Sequence, residues 1–131
     1  MPAENEEFPW LSYYKNYDYF EEIIKNHNKI KSIQNIGIGL YEITLSRDKK
    51  LRLFICDCYS FGMAEYYETI GNLGELDIIV IGSLWCSYTM DLKSYCMSKR
   101  IGLFKPKDFM AAIHNKQYWE YMNESEQDYF K

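Results

Sequence analysis

The chain has few of the residue types that build metal and disulfide sites. Among its 131 residues are two histidines and four cysteines, and no two cysteines stand in the CxxC spacing of zinc and redox sites. Cys56 and Cys58 alternate along one predicted strand, so their thiols share a face but lie too close in sequence for an ordinary disulfide. We therefore expect all four cysteines, including Cys86 and Cys96, to be small buried side chains in a reducing cytosol.

Long apolar runs and a targeting segment are also missing. No stretch approaches the ~18 apolar residues that a membrane-spanning helix needs. The N-terminal segment MPAENEEFPW has neither the basic part nor the apolar part of a secretory signal peptide. We expect a cytoplasmic protein with no part in a membrane.

The surplus of basic residues that is typical of nucleic-acid-binding proteins is absent. The chain carries 15 Lys and Arg against 19 Asp and Glu, which gives a net charge of −4. Because phosphate neutralisation supplies much of the affinity for DNA and RNA, we do not expect a nucleic-acid partner. The acidic residues concentrate at the two ends of the chain, in Glu4–Glu7 and in the segment 120–128. This distribution favours a basic protein as the partner.

Apolar and aromatic residues, in contrast, are abundant. They make up 47% and 18% of the sequence, which suffices for one globular domain over residues 1–131. We expect residues 1–8 to fray at the surface, and residues 119–131 to form an acidic, aromatic tail. The composition leaves the oligomeric state open.

The first half of the chain predicts a helix followed by a β-hairpin. Aromatic and aliphatic residues recur at spacings of three and four between residues 9 and 31, which is typical of one amphipathic helix. Two strand-like segments, Ile36–Leu45 and Leu51–Tyr59, are joined by the polar turn Ser46–Lys50 and predict an antiparallel pair. The second strand is apolar on both faces and contains a single carboxylate, Asp57.

The second half of the chain predicts alternating helices and strands. A short helix over Met63–Ile70 precedes Asp77–Ile81, whose β-branched residues suit a central strand. The helix Thr89–Arg100, which its first residue can cap, is followed by a short strand, Ile101–Phe104, and by a helix from Pro106. The predicted order is α-β-β-α-β-α-β-α. It belongs to the α/β (α+β) class, with one mixed sheet, a hairpin, a β-α-β-α half and helices on both faces.

The position of Asp57 at the end of the hairpin carries a resemblance to a known fold. The order of elements over residues 36–113 resembles the restriction-endonuclease-like fold, whose core motif is PD-(D/E)xK. The resemblance implies Mg²⁺ held by one acid on each hairpin strand, with a lysine two residues after the second acid. Asp57 stands at the second acid position, but Tyr59 stands where the lysine is expected.

The register of the hairpin decides whether an acid of the first strand can reach Asp57. A two-residue turn at Asp48-Lys49 would place Glu42 on the same face as Asp57, as a diagonal neighbour. A shift of one residue would turn the two carboxylates to opposite faces. The sequence leaves both registers open.

The missing lysine favours a non-catalytic protein, to which we assign no catalytic, cofactor-binding or metal-binding residue. The first hypothesis is a small acidic protein-binding protein, of the immunity or antitoxin type, that neutralises a basic toxin. The alternative is a Mg²⁺-dependent nuclease in which Glu42 and Asp57 bind the metal and Lys93 supplies the missing lysine. We prefer the first hypothesis because Tyr59 replaces the motif lysine and the chain is acidic.

Overall fold

A computed structural model describes residues 7–12 and 14–131, which form helices and strands in alternation. The helices are α1 (Tyr14–Lys25), α2 (Met63–Leu73), α3 (Met90–Ser98), α4 (Pro106–Ala112) and α5 (Glu124–Tyr129), with a 3₁₀ turn at Tyr118–Glu120. The strands are β1 (Ile30–Gly37), β2 (Leu40–Leu45), β3 (Lys50–Cys56), β4 (Ser60–Phe61), β5 (Ile78–Ile81), β6 (Ser87–Tyr88) and β7 (Gly102–Phe104).

One mixed sheet, in the order β1-β2-β3-β5-β7, forms the centre of the fold. Its first three strands are antiparallel, and β3, β5 and β7 are parallel to one another. This arrangement confirms the predicted class, a mixed sheet with an antiparallel hairpin and a β-α-β-α half. The small parallel pair of β4 and β6 was not predicted, because two-residue strands leave no periodic pattern.

Helices cover both faces of the parallel half, and each face has its own apolar cluster. One cluster joins Phe20 and Ile24 of α1 to Phe109 of α4. The other joins Tyr66 of α2 to Leu92 of α3. In the described part of the chain, no helix has the length and apolar character needed to cross a bilayer.

The segment predicted as one strand from Ile36 to Leu45 contains a tight turn. The chain reverses at Ile38-Gly39, so that β1 and β2 form a hairpin of their own. Gly39 adopts φ +69°, and a Cβ atom at this position would lie 2.5 Å from the carbonyl oxygen of Ile55. Only glycine meets both conditions without strain.

Within residues 9–31, where the pattern is helical and His27-Asn28 indicate the helix end, α1 covers Tyr14–Lys25. Helix α1 ends at Lys25, and the chain enters β1 at Ile30. The sequence did not predict strand β1, because Ile30 is the only fully buried residue of this strand. Without an alternation of apolar and polar residues, a strand gives little signal.

The turn between β2 and β3 has three residues, which decides the register that the sequence left open. Leu45 N–H donates to the carbonyl oxygen of Lys49 at 2.8 Å, and Asp48 adopts φ +63° between them. Glu42 consequently pairs with Arg52. Since Arg52 and Asp57 differ by an odd number of residues, Glu42 and Asp57 belong to opposite faces of the sheet.

Most of the N-terminal segment that we expected to fray lies outside the described residues. Within it, Phe8 is half-buried rather than loose. Its ring centroid lies 5.4 Å from that of Trp10 and 5.9 Å from that of Phe54. The body of the protein thus extends to Phe8.

Two glycine substitutions test the β1–β2 turn. Gly39→Ala is expected to lower the free energy of unfolding by at least about 2 kcal/mol, because it adds left-handed strain and a contact with backbone. Gly71→Ala is the matched control: its Cβ would meet nothing within 4 Å, and helix α2 should gain about 0.5–1 kcal/mol. Urea unfolding of both variants measures the difference. Equal stabilities would contradict the turn geometry described above.

Candidate functional site

The structure separates the two acids of the nuclease hypothesis. Glu42 lies in the middle of β2, with its carboxylate 3.9 Å from the ammonium of Lys50. Asp57 follows the end of β3, five residues beyond Arg52, the partner of Glu42. This offset corresponds to about 16 Å along the strand, and the two residues also belong to opposite faces. They cannot share one Mg²⁺ ion, whose oxygen ligands lie at about 2.1 Å.

Lys93, the lysine assigned to that hypothesis, is fully buried and engaged elsewhere. Its ammonium donates to the carbonyl oxygen of Leu103 at 2.7 Å and lies 3.8 Å from the carboxylate of Glu126. It also lies 4.5 Å from the ring centroid of Phe104. Burial lowers the pKa of Lys93, and the charge of Glu126 opposes this effect. These contacts give Lys93 a structural role, which is to anchor α5 to the body.

The residues present do not fit the implied magnesium site. In addition to the separation of Glu42 and Asp57, no group of three or more His, Cys, Asp or Glu in the described ranges could hold a metal ion. We therefore derive no metal-dependent step for this chain.

Asp57 instead connects β3 to the loop that follows β5. Its Oδ2 atom accepts a hydrogen bond from the hydroxyl of Ser83 at 2.5 Å, and its N–H donates to the carbonyl oxygen of Trp10 at 2.9 Å. Its other oxygen, Oδ1, is buried and has no hydrogen-bond partner among the described residues. A Cβ atom on Gly82 would lie 2.7 Å from Oδ1, so the loop can pass Asp57 this closely only with glycine there.

Lys105 holds the same loop from the end of β7. Its ammonium donates to the carbonyl oxygens of Ser83 and Cys86, which bracket Leu84 and Trp85. Burial lowers the pKa of Lys105 below its ordinary value. The Cys86 N–H donates to the carbonyl oxygen of Ser83 at 3.1 Å and closes the turn. Loop 82–86 is thus fixed at both of its ends.

The tip of this fixed loop carries two large apolar side chains in water. Leu84 is 97% exposed and Trp85 is 70% exposed. Other exposed apolar residues lie at the same end of the sheet. Ile38 (63% exposed) lies in the β1–β2 turn, and Leu11 (59% exposed) follows Trp10.

The backbone connects these residues to the end of β3. The carbonyl oxygen of Gly39, next to Ile38, accepts from Ile55 N–H at 2.8 Å, and that of Tyr59 accepts from Ser87 N–H at 3.0 Å. We call these exposed residues at the carboxyl ends of β3 and β5 the apolar edge; they are Leu11, Ile38, Tyr59, Leu84 and Trp85. Single exposed apolar residues are normal, but a group of them at one end of a molecule is typical of an interaction site.

The acidic tail packs beside β6 and the end of β7. Residues Tyr88 and Lys105 line a cavity of about 340 Å³ together with Glu126 and Tyr129 of α5. The Tyr88 hydroxyl donates to Glu126 Oε2 at 2.6 Å, so the helix is held against the loop region by a buried hydrogen bond. The predicted tail is helical over Glu124–Tyr129 and docks on the body.

Sequence reasoning found Asp57 but not the surface that Asp57 supports. Leu84 and Trp85 follow a strand and Gly82-Ser83, a position where a loop is expected. Two adjacent apolar residues within an expected loop were the feature of the sequence that could have indicated this surface. Its exposure could not be read from the sequence, since it depends on the contacts that Lys105 makes across the sheet.

Removing Glu126 tests the anchor of α5. Glu126→Ala leaves the ammonium of Lys93 buried without a counter-ion, and we expect a loss of about 3–5 kcal/mol in the free energy of unfolding. Asp128→Ala on the exposed side of α5 should change it by no more than about 0.5 kcal/mol. Glu126→Ala also removes the hydrogen bonds from the Tyr88 hydroxyl and from Asn123 N–H, so the coupling between residues 93 and 126 is what tests the pairing. Lys93→Met should cost less in the Glu126→Ala background than in the wild type, which a double-mutant cycle in urea would measure. Additive losses would refute the pairing.

The four cysteines should be unreactive in the folded protein. All of them are buried and free, which confirms the expected burial. Burial raises the pKa of Cys58 and that of Cys96 to about 12, so few of these thiols are ionised at neutral pH. We expect a thiol reagent such as DTNB to label none of the four in native buffer and all four in denaturing urea. Rapid labelling of a native thiol would show that the core opens locally.

The described geometry places two large exposed apolar side chains, Leu84 and Trp85, on a loop that Asp57 and Lys105 hold. One carboxylate oxygen beneath this loop, Oδ1 of Asp57, has no hydrogen-bond partner among the described residues. No protein-family model, curated protein or solved structure matches the chain. The functional proposal therefore rests on the physical properties of this surface.

Proposed function

We propose that the chain is a non-catalytic binding protein of the immunity or antitoxin type, and that it neutralises a basic toxin through the apolar edge. The observation that carries the proposal is the exposure of Leu84 and Trp85 on a loop that is fixed by Asp57 and Lys105. A rigid apolar pair loses little conformational entropy on binding, so most of its burial contributes to affinity. Tryptophan is also among the residues that most often dominate the energy of protein interfaces.

Charge supports a basic partner. The chain has a net charge of −4, and α5, which lines a cavity together with Ser87 and Lys105, carries the exposed acids Glu124 and Asp128. Opposite charge steers association and makes its rate fall as salt is added. The apolar contact, in contrast, depends little on salt. The two contributions can therefore be separated in one experiment.

The test compares three forms of the protein: wild type, Leu84→Ser/Trp85→Ser, and Tyr67→Ser. Tyr67 is an exposed aromatic residue on α2, away from the apolar edge, and serves as the matched control. The wild type and Tyr67→Ser should isolate the same basic protein from the native source, in a 1:1 complex. The double variant should bind this purified partner at least about 100-fold more weakly.

Titration calorimetry and stopped-flow kinetics of the purified partner measure these effects. The association rate of the wild type should fall steeply between low and physiological salt. Recovery of nucleic acid only, or of no partner, would refute the proposal. Equal affinities of the double variant and Tyr67→Ser would refute the assignment to the apolar edge.

A further inference from the structure

Strand β1 forms one end of the sheet and is open along its outer side. It pairs with β2 on one side, and no other strand of the described residues pairs with it. Its central residues, Ser32–Ile36, include neither a charged residue nor a proline. Charged residues, prolines and β-bulges on an edge strand block pairing with a further strand. The register of β1 with β2 shifts between Ile30 and Ser32 and between Asn35 and Gly37, so the segment 32–35 is the regular, uncharged part that remains open to pairing.

The hydrogen bonds of β2 show which groups of β1 face outward. The Leu45 N–H donates to the carbonyl oxygen of Lys49 at 2.8 Å. The carbonyl oxygen of Gly39 accepts from the Ile55 N–H at 2.8 Å. The odd-numbered residues of β2 therefore bond to β3. Since these directions alternate along an antiparallel strand, the even-numbered residues of β2 bond to β1.

Gln34 lies opposite Glu42, so its main-chain groups point toward β2. By the same alternation, the N–H and C=O groups of Ile33 and Asn35 point away from the sheet. These two residues offer the donors and acceptors for one more antiparallel strand.

We propose that β1 pairs with β1 of a second copy of this chain, about a two-fold axis at Gln34. Ile33 of each copy then lies opposite Asn35 of the other, and each of these pairs exchanges two hydrogen bonds. The two five-stranded sheets become one continuous sheet across the dimer.

The sequence of β1 suits a second copy because it is self-complementary about this axis. Gln34 meets Gln34 of the other copy, so that each amide can donate to and accept from its equivalent. Ile36, which is 45% exposed in the single chain, lies next to this pairing, at the register shift between Asn35 and Gly37. No charged side chains of like sign are opposed within residues 32–36.

The net charge sets the expected salt dependence. Two copies with a charge of −4 each repel one another, and salt screens this repulsion. The dimer should therefore become tighter as salt is added. The toxin complex proposed above should associate more slowly under the same change, so the two interactions have opposite responses.

Sedimentation equilibrium at about 100 μM, well above a micromolar dissociation constant, tests the dimer. The wild type should have twice the chain mass of 15.7 kDa, more completely in high salt. Asn35→Pro removes an outward donor and should weaken the dimer at least about 30-fold. Asn35→Ala keeps this donor and loses the same side-chain hydrogen bond to Tyr41, so it is the matched control and should dimerise as the wild type does. Near-UV circular dichroism checks that each variant is folded.

A charge exchange at Gln34 tests the position of the axis. Gln34→Lys places two ammonium groups against each other across the axis and should weaken the dimer about 5-fold. The effect is modest because Glu42, opposite residue 34 in the same chain, partly compensates the new charge. An equimolar mixture of Gln34→Lys and Gln34→Glu should restore the dimer as a heterodimer. Gln117→Lys, on the exposed surface away from β1, should have no effect on the dimer.

Hydrogen exchange identifies the paired amides. The amides of Ile33 and Asn35 should exchange fast in dilute protein and become protected in the dimer. A protein that remains monomeric at high concentration and high salt would overturn the proposal, as would a dimer that Asn35→Pro leaves intact. Protection of these amides only in the toxin complex would also overturn it. Leu84→Ser/Trp85→Ser should leave the dimer unchanged, so the two proposals can fail separately.

Discussion

The hydrogen bonds on both edges of β3 join the two halves of this protein. On one edge β3 pairs with β2 in antiparallel register, and on the other with β5 in parallel register. Its side chains alternate between the two apolar clusters, with Leu53 and Ile55 in one and Phe54 and Cys56 in the other. A slip of one residue would move every one of them to the wrong core. The position of everything that follows β3, including Asp57, depends on this register.

The parallel strands bring distant polar residues to one edge of the sheet. Parallel strands have their carboxyl ends side by side, and in many α/β proteins ligands bind there. In this chain Asp57, Ser83 and Lys105, which follow β3, β5 and β7, hold loop 82–86. Of the polar atoms of Asp57, Oδ2 is bonded to Ser83, whereas Oδ1 has no partner among the described residues. The loop that these residues hold exposes the apolar pair Leu84 and Trp85, and the binding proposal rests on that pair.

Part of this fold could be predicted because the pattern of the residues reflects their burial. The run at β5 is buried at all four positions, and its β-branched residues indicated a central strand. Thr89 caps α3 by accepting from Leu92 N–H at 3.2 Å, as its residue type indicated. Strand β1 was missed because its residues are mostly exposed and carry no alternation. At the candidate site, Asp57 was identified, but its partner Ser83 lies 26 residues away in sequence.

The sequence by itself determined the class of the fold, the acidic charge and the absence of cysteine spacings for a metal, since these follow from composition and local pattern. Only the tertiary structure decided what β3 and the carboxylate of Asp57 after it contribute. Whether Asp57 meets Glu42 or Ser83 depends on one extra residue in the turn at Asp48, and strand faces alternate with a period of two. Because of that single residue, Glu42 lies on the face of the sheet opposite to Asp57. The acid after β3 then holds a loop, on the opposite face of the sheet from Glu42.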